Sequence, residues 1–437
     1  MISRQRFTFM PLPRSVYIHV PFCAHRCGYC DFTLIAGRDD LIGDYLRSLE
    51  LELFAPLAPA LWGEGSRVRG EPQCSDIQID PLAPESSCSE TNETSAEEPL
   101  TLTLSPQNRG EGTVELDTLF FGGGTPTHLS CEQLRELFRI VFTRFQLTPP
   151  AEVSVEANPL DLSEEKIAVL ADVGVNRISL GVQSFSRSAL ALLERDHLPD
   201  DIDVVMRRLR RRFENVSLDL IFGVPGQSLA DWRDTLRRAI ELDPAHVSTY
   251  GLTWESGTAF GTRRDRGELA PVDEELERDQ YAMAMGELSA AGFEQYEISN
   301  FAQPGFRCRH NEVYWAGDEY WAFGPGAARY VHGRRETNIR SVLGWLARLE
   351  RHESPVADAE ELDPQHRAKE LLVLGLRRSD GMSRADFLRR SGLELDAVAG
   401  QAIEKNIARG WLEDDGSTIR LTREGRFVAD RVVADFL

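Results

Sequence analysis

Cysteine is scarce in this chain: seven among 437 residues, an odd number and mostly isolated. That excludes a secreted disulfide framework and leaves reduced thiols free to bind metal. Long apolar runs are missing as well. None approaches the roughly 18 residues needed to span a bilayer, and the N-terminal "MISRQRFTFMPLPRS" lacks the apolar stretch of a signal peptide. Positive charge is in deficit, 49 Lys and Arg against 70 Asp and Glu, a net charge of -21. Such a surface repels nucleic acid and anionic lipid except at local basic patches, and contact with a membrane would be peripheral. The expectation is a globular, cytoplasmic protein large enough for two domains.

The chain opens with a strand candidate, "SVYIHV", followed by a cysteine-bearing loop and an amphipathic helix pattern, "DDLIGDYLRSLELEL". From Gly63 to Glu115 the composition turns to Ser, Pro, Thr, Glu and Gly without aromatics, which predicts an acidic low-complexity insertion holding Cys74 and Cys88. Beyond it, the apolar runs "LDTLFFGGG", "AEVSVEANP", "VNRISLGVQSF", "NVSLDLIFGVPGQ" and "AHVSTYGLTWE" alternate with helical stretches. Six βα units of this kind predict an α/β fold, a barrel-like parallel sheet with its chemistry at the strands' C-terminal edge. A doubly wound sheet is the alternative. Residues 293–330 are irregular and aromatic, as loops that cover sites are. The tail, with its helices and a hairpin near Asp415 and Gly416, resembles a winged helix. The domains are expected at 1–330, interrupted by 63–115, and at 331–437.

"PFCAHRCGYCDF" gathers Cys23, Cys27 and Cys30 within eight residues. As a helix the stretch would make a buried cysteine stripe, but Pro21 and Gly28 oppose helix. Structural zinc takes four ligands, usually as two pairs, and no second pair follows, though His25 lies within the loop. An iron–sulfur cluster fits better, because several irons can each take a thiolate from one loop. Three thiolates on a four-iron cluster leave one iron open, the arrangement used when S-adenosylmethionine (SAM) binds it through its amino and carboxylate groups.

"CAHRCGYC" resembles the cluster motif of the radical SAM superfamily. With "FFGGGTPT", "VSVEANP", "GVQSF", "LDLIFGVPGQ" and "HNEVYW", nearly the whole chain outside the insertion resembles the oxygen-independent coproporphyrinogen III oxidases and their HemW-type heme chaperone relatives. The resemblance implies a partial (βα)6 radical SAM barrel with a mostly helical, winged-helix-like C-terminal domain. Cys23, Cys27 and Cys30 would bind a [4Fe-4S] cluster. Tyr17, Tyr29, Gly123, Gly124, Thr125, Glu156, Gln183, Arg195 and Asp219 match SAM-contacting positions, the glycines by letting backbone approach a charged ligand.

Two features separate the branches of this resemblance. Phe32 stands where the oxidases carry a fourth cysteine, and "HNEVYW", His310 to Trp315, resembles the chaperone motif. In that motif His310 offers an axial ligand to heme iron, with Cys308 as its competitor, while Asn311, Tyr314 and Trp315 complete a heme-binding surface. The "GPGAA" segment departs from the pattern, with Ala328 where a histidine is usual. The expectation is a chaperone that binds the cluster, SAM and heme and delivers heme to an acceptor protein. Its rivals are a SAM-radical decarboxylase of porphyrinogen propionates and, third, a DNA-binding regulator using the winged tail.

Overall fold

A computed structural model describes residues 12–54 and 113–437. Most of the expected insertion, with Cys74 and Cys88, lies outside the described residues. Val114 and Glu115, placed in it by composition, already belong to a strand.

Six strands carry the fold: β1 (Ser15–Val20), β2 (Val114–Gly123), β3 (Phe145–Ala157), β4 (Arg177–Gln183), β5 (Asn215–Phe222) and β6 (His246–Gly251). They pair in chain order and every pair is parallel. A doubly wound sheet reverses its order at a switch point. This sheet does not reverse, so the barrel-like alternative holds. The strand Trp321–Phe323 extends the β1 edge in parallel, and Asn300–Ala302, then Glu294–Gln295, extend the β6 edge in antiparallel fashion. Among the described residues the two edges do not pair with each other, which makes the barrel partial.

Strand alternation separates two chemistries. The outward positions are apolar: Val16, Ile18, Leu119, Phe121, Val153, Val155, Ile178, Leu180, Val216, Leu218 and Val247 are buried in one core with the surrounding helices. Two of those helices begin at serines where the sequence writes S-x-x-Q or S-x-x-D. Ser130 with Gln133, and Ser228 with Asp231, close capping boxes that satisfy N–H groups the helix itself leaves unpaired. Inward positions are mostly polar: Tyr17 and His19, Thr118, Glu152, Ser154 and Glu156, Arg177 and Ser179, Ser217 and Asp219, His246 and Ser248. An interior of this composition is built to hold something other than itself.

The helix Ile42–Phe54 follows the cysteine loop and runs back to the N-terminal side of the sheet, where β2 resumes at Val114. After the barrel, Ala328–Val331, Arg334–Asn338 and Val356–Glu361 form an antiparallel sheet. Its first hairpin turns on His332 and Gly333, both left-handed (φ 53° and 78°). A boundary after 330 therefore cuts through this sheet. The last module has its own core, from Ala368 to Phe436, and starts near 362. It comprises the helices Pro364–Arg377, Arg384–Ser391 and Leu395–Ala408 and the hairpin Leu412–Asp414 with Thr418–Leu421, in the expected winged order. Among the described residues no helix is long and apolar enough to cross a membrane.

Candidate active site

The C-terminal ends of all six strands converge on one cavity of about 970 Å³. At one end are the cysteines. Cys23 follows β1 directly, and its short strand Phe22–Cys23 pairs with Ile35–Ala36, which closes the loop. A turn from Cys27 O to Cys30 N (3.1 Å) brings the second and third cysteines together. Gly28 fits between because a Cβ there would meet the Phe260 ring at 2.7 Å. All three thiols border the cavity. Burial pushes the Cys23 thiol up to about 11 and raises Cys30 as well. A metal that takes these sulfurs must therefore displace their protons. Among the described residues no three His, Cys, Asp or Glu side chains converge tightly enough for a single ion, and the His25 Nε2 engages the Glu194 carbonyl at 2.6 Å. A mononuclear zinc site does not fit. A cuboidal cluster, in which each iron takes its own thiolate, needs the wider spacing.

Arg195 stands beside the cysteines. Its guanidinium donates to Asn158 Oδ1, to the Gly181 carbonyl (3.2 Å) and toward Cys27 Sγ (3.7 Å), so it ties the cluster loop to β3 and β4. Tyr29 lines the cavity and packs edge-on against Phe260. Cys23 Sγ lies 3.2 Å from Thr125 Oγ1. Gly123 and Gly124 border the cavity and also serve the packing around it. The Gly123 N–H donates to Glu156 Oε2 (2.9 Å), and a Cβ on Gly124 would lie 2.7 Å from the Phe22 carbonyl oxygen. Their small size lets β2 and the cysteine loop close on each other. Burial pushes the Glu156 carboxyl up to about 7. Asp219 accepts both from Ser179 (3.0 and 3.1 Å) and from Ser217 (3.3 Å), and Gln183 sits at a left-handed φ of 64° where the β4–β5 register shifts. Glu156, Gln183, Arg195 and Asp219 all border the cavity.

The opposite end is aromatic. "HNEVYW" lies on the helix Arg309–Ala316, which caps the barrel floor. Its first N–H groups, those of Arg309 and His310, donate to the two oxygens of Glu152 at 3.0 and 3.1 Å, a carboxylate at a helix N-terminus. His310 is 1% exposed and both ring nitrogens are engaged, Nδ1 with Thr118 Oγ1 (2.8 Å) and Nε2 with the Tyr314 hydroxyl (2.9 Å). Its ring stacks on Phe120, and burial lowers its basicity to about 3. In this conformation neither ring nitrogen is free for a heme iron. His310 lies beneath the cavity and anchors the helix. Cys308, its competitor, is fully buried, donates toward Glu152 Oε1 (3.5 Å) and is pushed up to about 12.

Asn311 and Tyr314 do reach the cavity, and Tyr314 meets Tyr320 edge-on at 4.6 Å. Trp315, one residue on, is turned about 100° around the helix and lies under Arg377 of the C-terminal module, 4.7 Å from its guanidinium carbon. It is not part of the cavity wall. Ala328 is, and so is Phe32, which is 61% exposed at the mouth. Tyr17 stacks on Phe120, and its hydroxyl meets His19 Nδ1 at 3.1 Å. Sequence reading passed over His19, Arg177, Ser248, Tyr250 and Tyr320, all on the wall. The strand alternation was the available signal for the first four.

Proteins of the radical SAM superfamily share this plan, and the superfamily's description matches residues 111–239, with the HemN C-terminal domain matching 362–428. Membership brings a [4Fe-4S] cluster and SAM, and the cysteine end of the cavity fits both. The chain is 33% identical to the heme chaperone HemW of Bacillus subtilis (strain 168) over 97% of this chain and 99% of that one. For HemW of Escherichia coli (strain K12) the figures are 31%, 97% and 98%. This chain belongs to the HemW family. The solved structure of the coproporphyrinogen III oxidase HemN from Escherichia coli superposes with a TM-score of 0.76 at 19% identity, over 98% of this chain and 90% of that one, which shows the shared fold.

Proposed function

We propose that this chain is a heme chaperone that works in the cytoplasm, holding heme at the aromatic end of the cavity and passing it to an acceptor protein. The carrying observation is that one cavity has two chemically distinct ends. Tyr314, Tyr320 and Ala328 give one part of its wall an apolar surface, with Phe32 exposed at the mouth, while the three cysteines, Arg195 and the Gly123–Gly124 turn line another part. Aromatic faces and a small residue suit a planar macrocycle. The names of the full-length relatives support the reading. At the other end the cluster, once bound, would supply an electron to SAM. The chain's own part there is to hold three thiolates in register and to place Arg195, Glu156 and Asp219 around a charged amino acid moiety. Phe32 supports chaperone over decarboxylase, since a phenyl ring provides no further ligand.

The test is an anaerobic absorbance titration of heme into the cluster-reconstituted protein, followed by challenge with an apo-globin, alongside a Tyr320→Ala variant. One-to-one binding that survives the challenge and weakens in the variant is expected. Release of carbon dioxide from coproporphyrinogen III in the presence of SAM, with no retained heme, would replace this reading with the decarboxylase.

A further inference from the structure

Arg177, at the start of β4, is 1% exposed and yet borders the cavity. Its Nε has no hydrogen-bond partner among the described residues. The reason is visible in its neighbours. Glu152, Asp219 and Glu156 are carboxylates whose charge couples to it, and each faces another donor, Glu156 the Gly123 N–H at 2.9 Å. Glu152 receives the backbone N–H groups of Arg309 and His310, with Cys308 Sγ at 3.5 Å. Asp219 receives Ser179 and Ser217. Arg195, the other arginine deep in the cavity, also has an unpartnered Nε, but its two terminal nitrogens donate to Asn158 and Gly181 and toward Cys27.

A guanidinium is a planar fork of five N–H donors that matches a carboxylate through two parallel bonds. A fork buried in a cavity wall, with its local carboxylates committed elsewhere, is set for an acceptor that enters with a ligand. We propose that Arg177 is a carboxylate-binding residue in the cavity wall, taking the acid arm of an organic ligand whose body lies against Tyr314 and Tyr320. Resting on the heme reading above, that arm is a propionate of heme. Any other carboxylic acid of suitable reach shares the chemistry.

The experiment compares heme with its dimethyl ester, in which both propionates are uncharged, by absorbance titration of the cluster-reconstituted full chain. The wild type binds the diacid about tenfold more tightly than the diester, the range of one charge-assisted bidentate contact. Arg177→Met brings the two affinities together by weakening the diacid, and Arg177→Lys, which keeps the charge without the fork, falls between. Equal affinities for diacid and diester in the wild type overturn the subsite while leaving heme binding in place, and that comparison needs no variant to fold. Preference for the diacid that persists in Arg177→Met overturns it too. If neither heme form binds, sodium propionate against sodium chloride in thermal melts separates the two readings. A propionate-specific rise in Tm that Arg177→Met abolishes supports the carboxylate subsite and removes heme as its source. No rise overturns both.

Discussion

An alanine at Gly124 would set its Cβ 2.7 Å from the Phe22 carbonyl oxygen and about as near to the Phe22 and Pro21 backbone. Backbone cannot step aside as a side chain tip can, so the cysteine loop itself would have to move. Gly124→Ala is expected to lower iron incorporation on anaerobic reconstitution, measured as iron and sulfide per chain, with little change in secondary structure. His310 makes a different kind of prediction. Its removal leaves Thr118 and Tyr314 without partners in a buried layer, which costs about 2–4 kcal/mol. His310→Ala should therefore lower the denaturation midpoint and disturb ligand binding only through the helix it anchors. Tyr314→Phe should cost about 1–2 kcal/mol, since it strands one ring nitrogen. The sequence exposed the cysteines fully, because their spacing alone limits what they can hold. It did not disclose which way His310 faces, since that depends on Glu152, 158 residues earlier, receiving the helix N-terminus.

At the scale of elements, Glu52 on the helix Ile42–Phe54 joins parts of the chain far apart in sequence. Its carboxylate accepts from Gly324 N (2.9 Å), Asn338 Nδ2 (2.6 Å) and Trp345 Nε1 (3.2 Å). Burial pushes it up to about 7 from an ordinary 4.5. Between those values the folded chain holds a proton that the unfolded chain has released, so Glu52 adds stability as pH falls below 7 and loses that contribution as pH rises. Glu52→Gln presents an amide NH2 to groups that are themselves donors. At pH 6 it should be less stable by about 1–2 kcal/mol, and the gap to wild type should narrow toward pH 8.5 in urea titrations. The six strands were readable because outward positions carry uninterrupted Val, Ile, Leu and Phe. The hairpin at His332 and Gly333 was not read, although a left-handed pair between short alternating runs is its signal. The domain boundary was consequently set inside a sheet.

Across the whole molecule, the C-terminal module is fastened to the helix that lines the cavity. Arg390 donates to the Ala316 carbonyl, to the Gly317 carbonyl (2.8 Å) and to Asp318 Oδ1 (3.0 Å), and Arg377 covers Trp315. A cation at the last carbonyls of a helix completes bonds the helix cannot make itself. Arg390→Ala should speed amide exchange across residues 309–316 and reduce stability by about 1–2 kcal/mol, with exchange in β1 to β5 unchanged. Heme retention should fall with it, and unaltered exchange in that helix would sever the link between module and cavity.

The described chain leaves the barrel at Phe54 and returns at Thr113, and both points lie on the side of the sheet away from the cysteines. A fluorescent reporter or an affinity handle joined at Phe54 or Thr113 would begin on that side, with the strands' C-terminal ends and their chemistry on the other.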